Sequence, residues 1–459
     1  MKLDSWPMKF FLNTKLIIQN LFVWIVAFVL TGKLQRPNSE FTNTLKRARL
    51  FFHHKDRNVF DLSREWSACF RILNEGNFIK ARNLRRAILE EVYSKNELDD
   101  DYFPPILSNQ FFGPIGHHAF TGIHIAAQDL DLIPAGRRIG IVRPELNKNN
   151  FVSLLASRLT CVNFKEGSDW TELPSNWHLT ERMQMIRSHN SFIECFELVD
   201  EVFRSKKFSK NNPAFKCDGD YIQKSRTHLQ SLGLSSSDWF VGLHIRDGSP
   251  TPALRNQKIA NYIPAIKEIT RRGGWVIRIG QKGMPLFPKM DKVIDLVAEE
   301  NAASDLHLFV LSECRFFIGT HSGPQWFPPL FGVPTIFTNH IAIGRCALTF
   351  SEHSFTIPKT ALKRDGTRAS LMELLESPLG YGELSLKEFE KIGFTILENS
   401  STEILNSVLE MFEKLEGRLF SRENDLNNRV SDIRKEFDWT SKGNLANSFL
   451  LENEAWFLS

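Results

Sequence analysis

The sequence predicts an α/β protein built on a parallel sheet. Three observations carry that reading. Residues 238–339 alternate short apolar runs with helically spaced segments, joined by short connections, the pattern of parallel strands covered by helices. Two of those runs end in polar, glycine-bearing loops, His244-Ile245-Arg246-Asp247-Gly248 and Gly319-Thr320-His321-Ser322-Gly323-Pro324. Upstream, residues 113–142 read as a glycine turn, a helix and a strand, the opening of another α/β layer.

The elements follow in order. Leu21–Leu30 (LFVWIVAFVL) is ten apolar residues without a break. A spanning helix needs ~20, and 10–14 suits an interfacial or buried helix. Basic residues flank it, and Trp6 and Trp24 can sit at headgroup level. It reads as a helix lying on an anionic leaflet, with a core helix of the first domain or a single span as the other readings. No small-x-small cleavage site follows, which argues against a removed signal peptide. Residues 62–96 show apolar steps of three and four broken at Gly76, a helical hairpin with a structural role.

Gly113, Pro114 and Gly116 make a turn, His117–Asp129 has helical spacing, and Arg138–Val142 is strand-like. Leu179–Phe203 reads as helix. Strands are expected at Asp238–Leu243, Trp275–Ile279, Val293–Leu296, Phe316–Ile318 and Thr335–Phe337. Helices are expected at Ile259–Arg272, Ser304–Ser312 and Gln325–Phe331. Residues 385–459 are mostly helical and charged. The organisation expected is a basic, apolar N-terminal region (1–60), a helical hairpin with a first α/β domain (61–225), a second α/β domain (226–384) and C-terminal helices (385–459).

Composition closes off several classes. The chain of 459 residues has an ordinary globular balance and a net charge of +4. Ten basic and three acidic residues put residues 1–60 at +7, so the remainder sums to −3. No basic stripe runs along the body, which argues against nucleic acid as a partner. The six cysteines lie far apart with no C-x-x-C pair, against zinc or a disulfide framework and in favour of a reducing compartment. There is no G-x-x-x-x-G-K-[ST], no G-x-G-x-x-G after a strand, and no D-x-D between strands for a sugar-nucleotide metal.

Ligands of open parallel sheets bind at the carboxyl ends of strands, so the two polar loops are the candidate site. Arg246 can grip a diphosphate bidentately and stabilise charge on it as it leaves, without a metal. His244 can orient a phosphate or move a proton; a buried, hydrogen-bonded histidine is the plainer alternative. Thr320, His321, Ser322 and Gly323 offer hydroxyl and backbone donors at the start of the helix expected at 325–331, where an anion is favoured; capping by Thr or Ser would explain them equally. Asp305 can accept from a ribose or base, or simply favour the first turn of its helix. Asp247 and Gly248 complete the first loop. Together these residues describe a nucleotide-diphosphate cradle.

VGLHIRDG (241–248), RNQKIANYIPAIKEITRRGGWVIRIG (255–280) and SDLHLFVLSECRFFIGTHSGPQWFPPLFGVPTIFTN (304–339) resemble a family of bacterial glycosyltransferases encoded with surface-polysaccharide genes. More distantly they resemble the fucosyltransferase and protein O-fucosyltransferase superfamily, with its H-x-R motif after one strand and a Ser/Thr turn after a later one. The tail NSFLLENEAWFL also resembles the bacterial family, and the likeness covers roughly residues 110–459. It implies a GT-B architecture of two Rossmann-like domains facing a cleft, with C-terminal helices packing back across it. It implies a transferase that needs no metal or other cofactor and takes a nucleotide-diphosphate sugar as co-substrate. Arg246 would then contact the donor diphosphate, Ser322 and its neighbours phosphate or ribose, and Asp305 the nucleoside. Gly116 and His117 would face the cleft from the acceptor side, His117 as a general base or a donor-sugar contact. Where the superfamily continues H-x-R with a second basic residue or directly with Gly-Asp, this chain has Arg246-Asp247-Gly248; GDP-linked donors are an analogy only.

The expected activity is therefore inverting transfer of a hexosyl or deoxyhexosyl group to a surface-polysaccharide or lipid-linked glycan, at the cytoplasmic face of the plasma membrane. Two rivals stand beside it: a non-catalytic glycan- or nucleotide-binding scaffold, and the same architecture transferring another group.

Overall fold

The computed structural model describes residues 78–95, 115–134, 139–142, 150–158, 160–163, 185–189, 191–205, 208–247, 253–281, 283–298, 303–341, 343–344, 353–377, 380, 386–418, 423–439 and 443–459. The apolar N-terminal segment and the first half of the expected hairpin lie outside them, as does Gly248. Among the described residues, no helix is long and apolar enough to cross a membrane. The chain divides into two compact units, residues 1–104 with 167–192, and residues 105–166 with 193–459.

In the first unit, helix α1 (Phe78–Lys95) begins two residues past Gly76. Its Arg86 Nε donates to the carbonyl of Phe192 at 2.7 Å, and Ser191 donates to Glu90.

The second unit opens with α2 (Ile115–Asp129), β1 (Ile139–Val142), α3 (Asn150–Ala156) and β2 (Thr160–Asn163). β1 and β2 pair in parallel, as the glycine turn, helix and strand lead one to expect. Helix α2 buries Ala119, Ile123, Ile125, Ala126 and Ala127, so it is an interior helix. The expected helix at 179–203 is a correction. Two short strands, β3 (Met185–Arg187) and β4 (Phe192–Glu194), precede a helix that occupies only Cys195–Arg204 (α4). The capping box of Glu194 and Glu197 starts that helix, a local signal stronger than the apolar spacing before it.

Helix α5 (Gly219–Ser231) leads into the main sheet: β5 (Phe240–His244), α6 (Ile263–Arg271), β6 (Trp275–Arg278), β7 (Val293–Asp295), α7 (Ala303–Glu313), β8 (Phe317–Thr320), β9 (Thr335–His340) and β10 (Phe355–Pro358). The strand order is β10-β9-β8-β5-β6-β7 and every pairing is parallel. Read from β7, that is 3-2-1-4-5-6, the dinucleotide-fold order. β5 and β8 are buried along their whole length, which is why they read as continuous apolar runs rather than alternating ones. Gly242 is required at the centre: a Cβ there would lie 2.7 Å from the Phe317 ring and 3.1 Å from Val310. It lets β5 meet β8 and α7 closely.

The chain closes with β11 (Thr360–Lys363), α8 (Leu371–Glu376), α9 (Leu386–Lys391), β12 (Phe394–Leu397), α10 (Ser401–Leu415), α11 (Glu423–Glu436) and α12 (Asn447–Phe457). β11 and β12 form an antiparallel pair, and β12 is a strand within the region 385–459 expected to be mostly helical. Helix α10 packs on α6, β9 and β10, and α12 packs on α10. Its buried face is Ile404, Val408, Met411 and Phe412, and Phe412 meets Phe316 edge-on at 5.4 Å. Helix α10 thus covers the β9–β10 side of the main sheet, with α12 outside it.

Candidate functional site

The order 3-2-1-4-5-6 reverses between β5 and β8, and ligands of such sheets bind outside the carboxyl ends of the strands at that point. The two polar loops singled out from sequence are the loops after β5 and β8. The fold therefore places them side by side at the switch point, and a hydrogen bond joins them: the Arg246 N–H donates to Thr320 Oγ1 at 3.3 Å.

His244 ends β5 and is buried, its Nδ1 without a hydrogen-bond partner among the described residues. Burial, reinforced by His307, Arg278 and Arg246, lowers its pKa to about 3. It is a neutral imidazole at any physiological pH. Arg246 follows, half-buried, and its carbonyl accepts from the Gln257 N–H at 2.8 Å. Burial and the cation of Arg255 both weaken its hold on its proton; a guanidinium stays charged regardless. Two cations held close enough to oppose each other are stabilised by an anion between them. Asp247 acts on the buried guanidinium of Arg278, which pairs with Asp295 at 3.0 Å and donates to the Pro285 carbonyl at 2.7 Å.

On the β8 side, Thr320 is fully buried and engaged with the Arg246 backbone. His321 is partly exposed, but its Nδ1 is buried without a hydrogen-bond partner among the described residues. Burial, then His340, Arg255, Arg246 and Lys359, hold its pKa well below the usual histidine value. Ser322 precedes a 3-10 turn and its hydroxyl makes no capping hydrogen bond, so capping does not explain it. Gly319 permits the turn to fold back: a Cβ there would meet Gln325 Cβ and the Phe317 ring at 2.9 Å.

The helix expected at Gln325–Phe331 is a correction. The segment forms two 3-10 turns, Gly323–Trp326 and Pro328–Phe331. Pro324, Pro328 and Pro329 lack the N–H groups an α-helix needs. Ser322 and Gly323 therefore open a 3-10 turn, not an α-helix, and offer the serine hydroxyl and local backbone groups.

Gly116 and His117 lie in the first turn of α2 rather than in a turn before it, and α2 packs on the 323–326 turn through Phe120 and Trp326, 4.9 Å between ring centroids. Asp305 lies in the first turn of α7; two residues on, His307 has a buried Nε2 without a hydrogen-bond partner among the described residues.

Several site residues were not singled out from sequence. Arg255, in a 3-10 turn (Ala253–Arg255), lies near enough for its charge to act on both Arg246 and His321. His340 ends β9 and stacks on His321. Lys359 follows β10, only 7% exposed, its N–H bonded to the His340 carbonyl at 2.7 Å. A basic residue directly after an apolar run, as in FTIPK (355–359), is the signal that would have found it. Asn399 and Tyr262, which position these groups, carry no such signal. Among the described residues no cluster of His, Cys, Asp and Glu could hold a metal ion.

No family model matches the chain, and no curated protein does. Among solved structures it is similar to a glycosyl transferase family 9 protein from Veillonella parvula (12% identity, 65% of this chain and 79% of that one, TM-score 0.28). It is similar to TibC, described as an iron-containing dodecameric glycosyltransferase from enterotoxigenic E. coli (11%, 68% and 76%, TM-score 0.34). It is also similar to the ADP-heptose LPS heptosyltransferase II of E. coli (9%, 66% and 97%, TM-score 0.37).

Proposed function

We propose that the protein is a glycosyltransferase that takes a sugar from a nucleotide diphosphate and passes it to a surface-polysaccharide or lipid-linked glycan. One observation carries the reading: Arg246 stands at the switch point of a Rossmann-ordered sheet, its N–H bonded to Thr320 Oγ1 at 3.3 Å beside a turn whose Ser322 hydroxyl is not used for capping, and the charge of Arg255 acts on it. In this reading the leaving diphosphate lies across the ends of β5 and β8. Arg246 and Arg255 take up the negative charge that grows as the glycosidic bond breaks. Ser322 donates to a phosphoryl oxygen, and neutral His244 contributes a hydrogen bond rather than a charge. The guanidinium groups supply the cationic role, so turnover persists in EDTA. His117 is the base we assign to the acceptor hydroxyl, with direct displacement and inversion. GDP is the first nucleotide to try, and the basic N-terminal segment would hold the enzyme at the inner face of the membrane.

The test is thermal unfolding with GDP, UDP, CMP and ADP, each beside Arg246→Ala. A ligand at 100 times its dissociation constant adds ~2.7 kcal/mol to the folded state. A shift with one nucleotide, lost in the variant, supports the cradle and names the donor class. No shift with any of the four sinks the reading.

A further inference from the structure

Two basic residues and two histidines stand in a row at the ends of four adjacent strands. Arg246 follows β5, His321 follows β8, His340 ends β9 and Lys359 follows β10. Three strand intervals at ~4.8 Å each make the row about 14 Å long. A diphosphate, two phosphoryl groups sharing one oxygen, does not span it. Lys359 is the informative end. It is 93% buried, and its ammonium forms no ion pair among the described residues. The one carboxylate that acts on it, Glu398, already accepts from the Lys258 N–H at 3.0 Å and from Asn261 Nδ2 at 3.4 Å. A largely buried charge whose one acting carboxylate is engaged elsewhere is costly. Between Lys359 and the diphosphate end lies the His321 Nδ1, also buried and without a hydrogen bond among the described residues.

We infer that Lys359, His340 and His321 form a second anion subsite, which takes a phosphate or carboxylate carried by the donor sugar or by the acceptor. The inference rests on the reading that the Arg246 end holds the donor diphosphate. It makes the substrate pair more anionic than a neutral sugar joined to a neutral glycan. The subsite is preformed, because the Lys359 backbone is tied to His340 and the His340 ring is stacked on His321.

The full-length protein is titrated with inorganic phosphate against chloride at equal ionic strength, with and without GDP, and thermal stability is read. Wild type and Arg246→Ala should both show a saturable phosphate shift that persists with GDP bound. Lys359→Met should lose it, and Lys359→Arg should keep it. A phosphate shift that Lys359→Met retains, or one that GDP abolishes by competition, overturns the subsite. Loss of GDP binding in wild type with the phosphate shift intact would instead remove the glycosyltransferase reading and leave the subsite standing. Two further arms locate the anion. A nucleotide-diphosphate uronate is compared with its neutral hexose counterpart, and a phosphorylated glycan with its dephosphorylated form. The charged member of one pair should bind about tenfold tighter, an advantage lost in Lys359→Met. No difference in either pair overturns the assignment.

Discussion

The imidazoles of His321 and His340 stack, 5.0 Å between centroids and 12° from parallel, although the strand register carries His321 opposite Asn339. Thr320 pairs with Thr338, so one step further His321 would face Asn339. What brings His340 over is a bulge. Between the pairs Phe337–Thr356 and His340–Pro358, β9 holds two residues where β10 holds one. Asn339 takes up the extra residue in a left-handed conformation, φ 57°. A bulge of this kind re-aims the following side chain.

Asn399 holds the bulge. Its Oδ1 accepts the Asn339 N–H at 2.5 Å, its own N–H donates to Asn339 Oδ1 at 2.6 Å, and its Nδ2 donates to the Pro358 carbonyl at 2.8 Å. Tyr262 Oη accepts from Asn339 Nδ2 and lies 2.7 Å from Thr338 Oγ1. Asn399→Ala leaves a buried N–H and a buried carbonyl unpaired, at ~1–3 kcal/mol each. We expect urea unfolding to show a loss of about 2–4 kcal/mol, with the phosphate shift weakened. Unchanged stability would mean that the bulge stands without its clasp.

Arg246→Lys keeps the charge but loses the planar fork that grips two oxygens. We expect transfer to fall by about 10²–10³, with thermal stability unchanged. Turnover close to wild type would show that the leaving diphosphate is held elsewhere.

His244 and His307 make the fold acid-sensitive. Burial lowers their folded values to about 3 and about 4, against 6.5 in the unfolded chain. Below pH 6.5 the unfolded state therefore binds protons that the fold refuses, and stability falls as pH falls. Each group contributes a slope of about 1.4 kcal/mol per pH unit until its folded value is reached. His244→Asn should flatten the stability profile between pH 6 and about 3. An unaltered slope would mean that the imidazole is not held neutral.

Lys359 acts in the same direction, at higher pH. Burial brings its folded value to about 8 from 10.5. Between these values the unfolded chain keeps a proton that the fold releases, so this group makes stability rise with pH. Below pH 8 the fold bears the full cost of the buried charge. Lys359→Met should stabilise the ligand-free protein at pH 7 by roughly 3 kcal/mol at most, and the gain should vanish by pH 10.5. A destabilised variant at pH 7 would show that the ammonium has a favourable partner without ligand.

Gly319→Ala tests the turn. Its Cβ would press on Gln325 and Phe317 at 2.9 Å, a strain of about 1–3 kcal/mol. Relief by displacement of Gln325 shifts the 323–326 turn that Ser322 precedes. Nucleotide affinity should drop more than thermal stability does, and equal affinity would place the ligand off this turn.

Much of the second α/β layer was legible because its strands are buried on both faces and short. VGLH, WVIRI and RFFIG stand out as apolar runs, and their following loops announce the carboxyl edge. The 323–331 segment misled because apolar spacing outweighed three prolines, although the missing N–H groups should have decided it. β10 and β12 escaped because FTIP and FTIL are short runs among polar neighbours, settled by pairing rather than by period.

The sequence by itself determined that the protein is α/β, that the sheet is parallel, and that Arg246 and Ser322 sit at strand ends. Those are consequences of local spacing, side-chain burial and turn chemistry, each written within a few residues. Only the tertiary structure decided that β8 lies beside β5, which makes two distant loops one site. Only it decided that Asn399, sixty residues downstream of Asn339, clasps the bulge after which His340 stacks on His321. Such contacts depend on strand order and on long-range hydrogen bonds, and no periodicity in the chain encodes either.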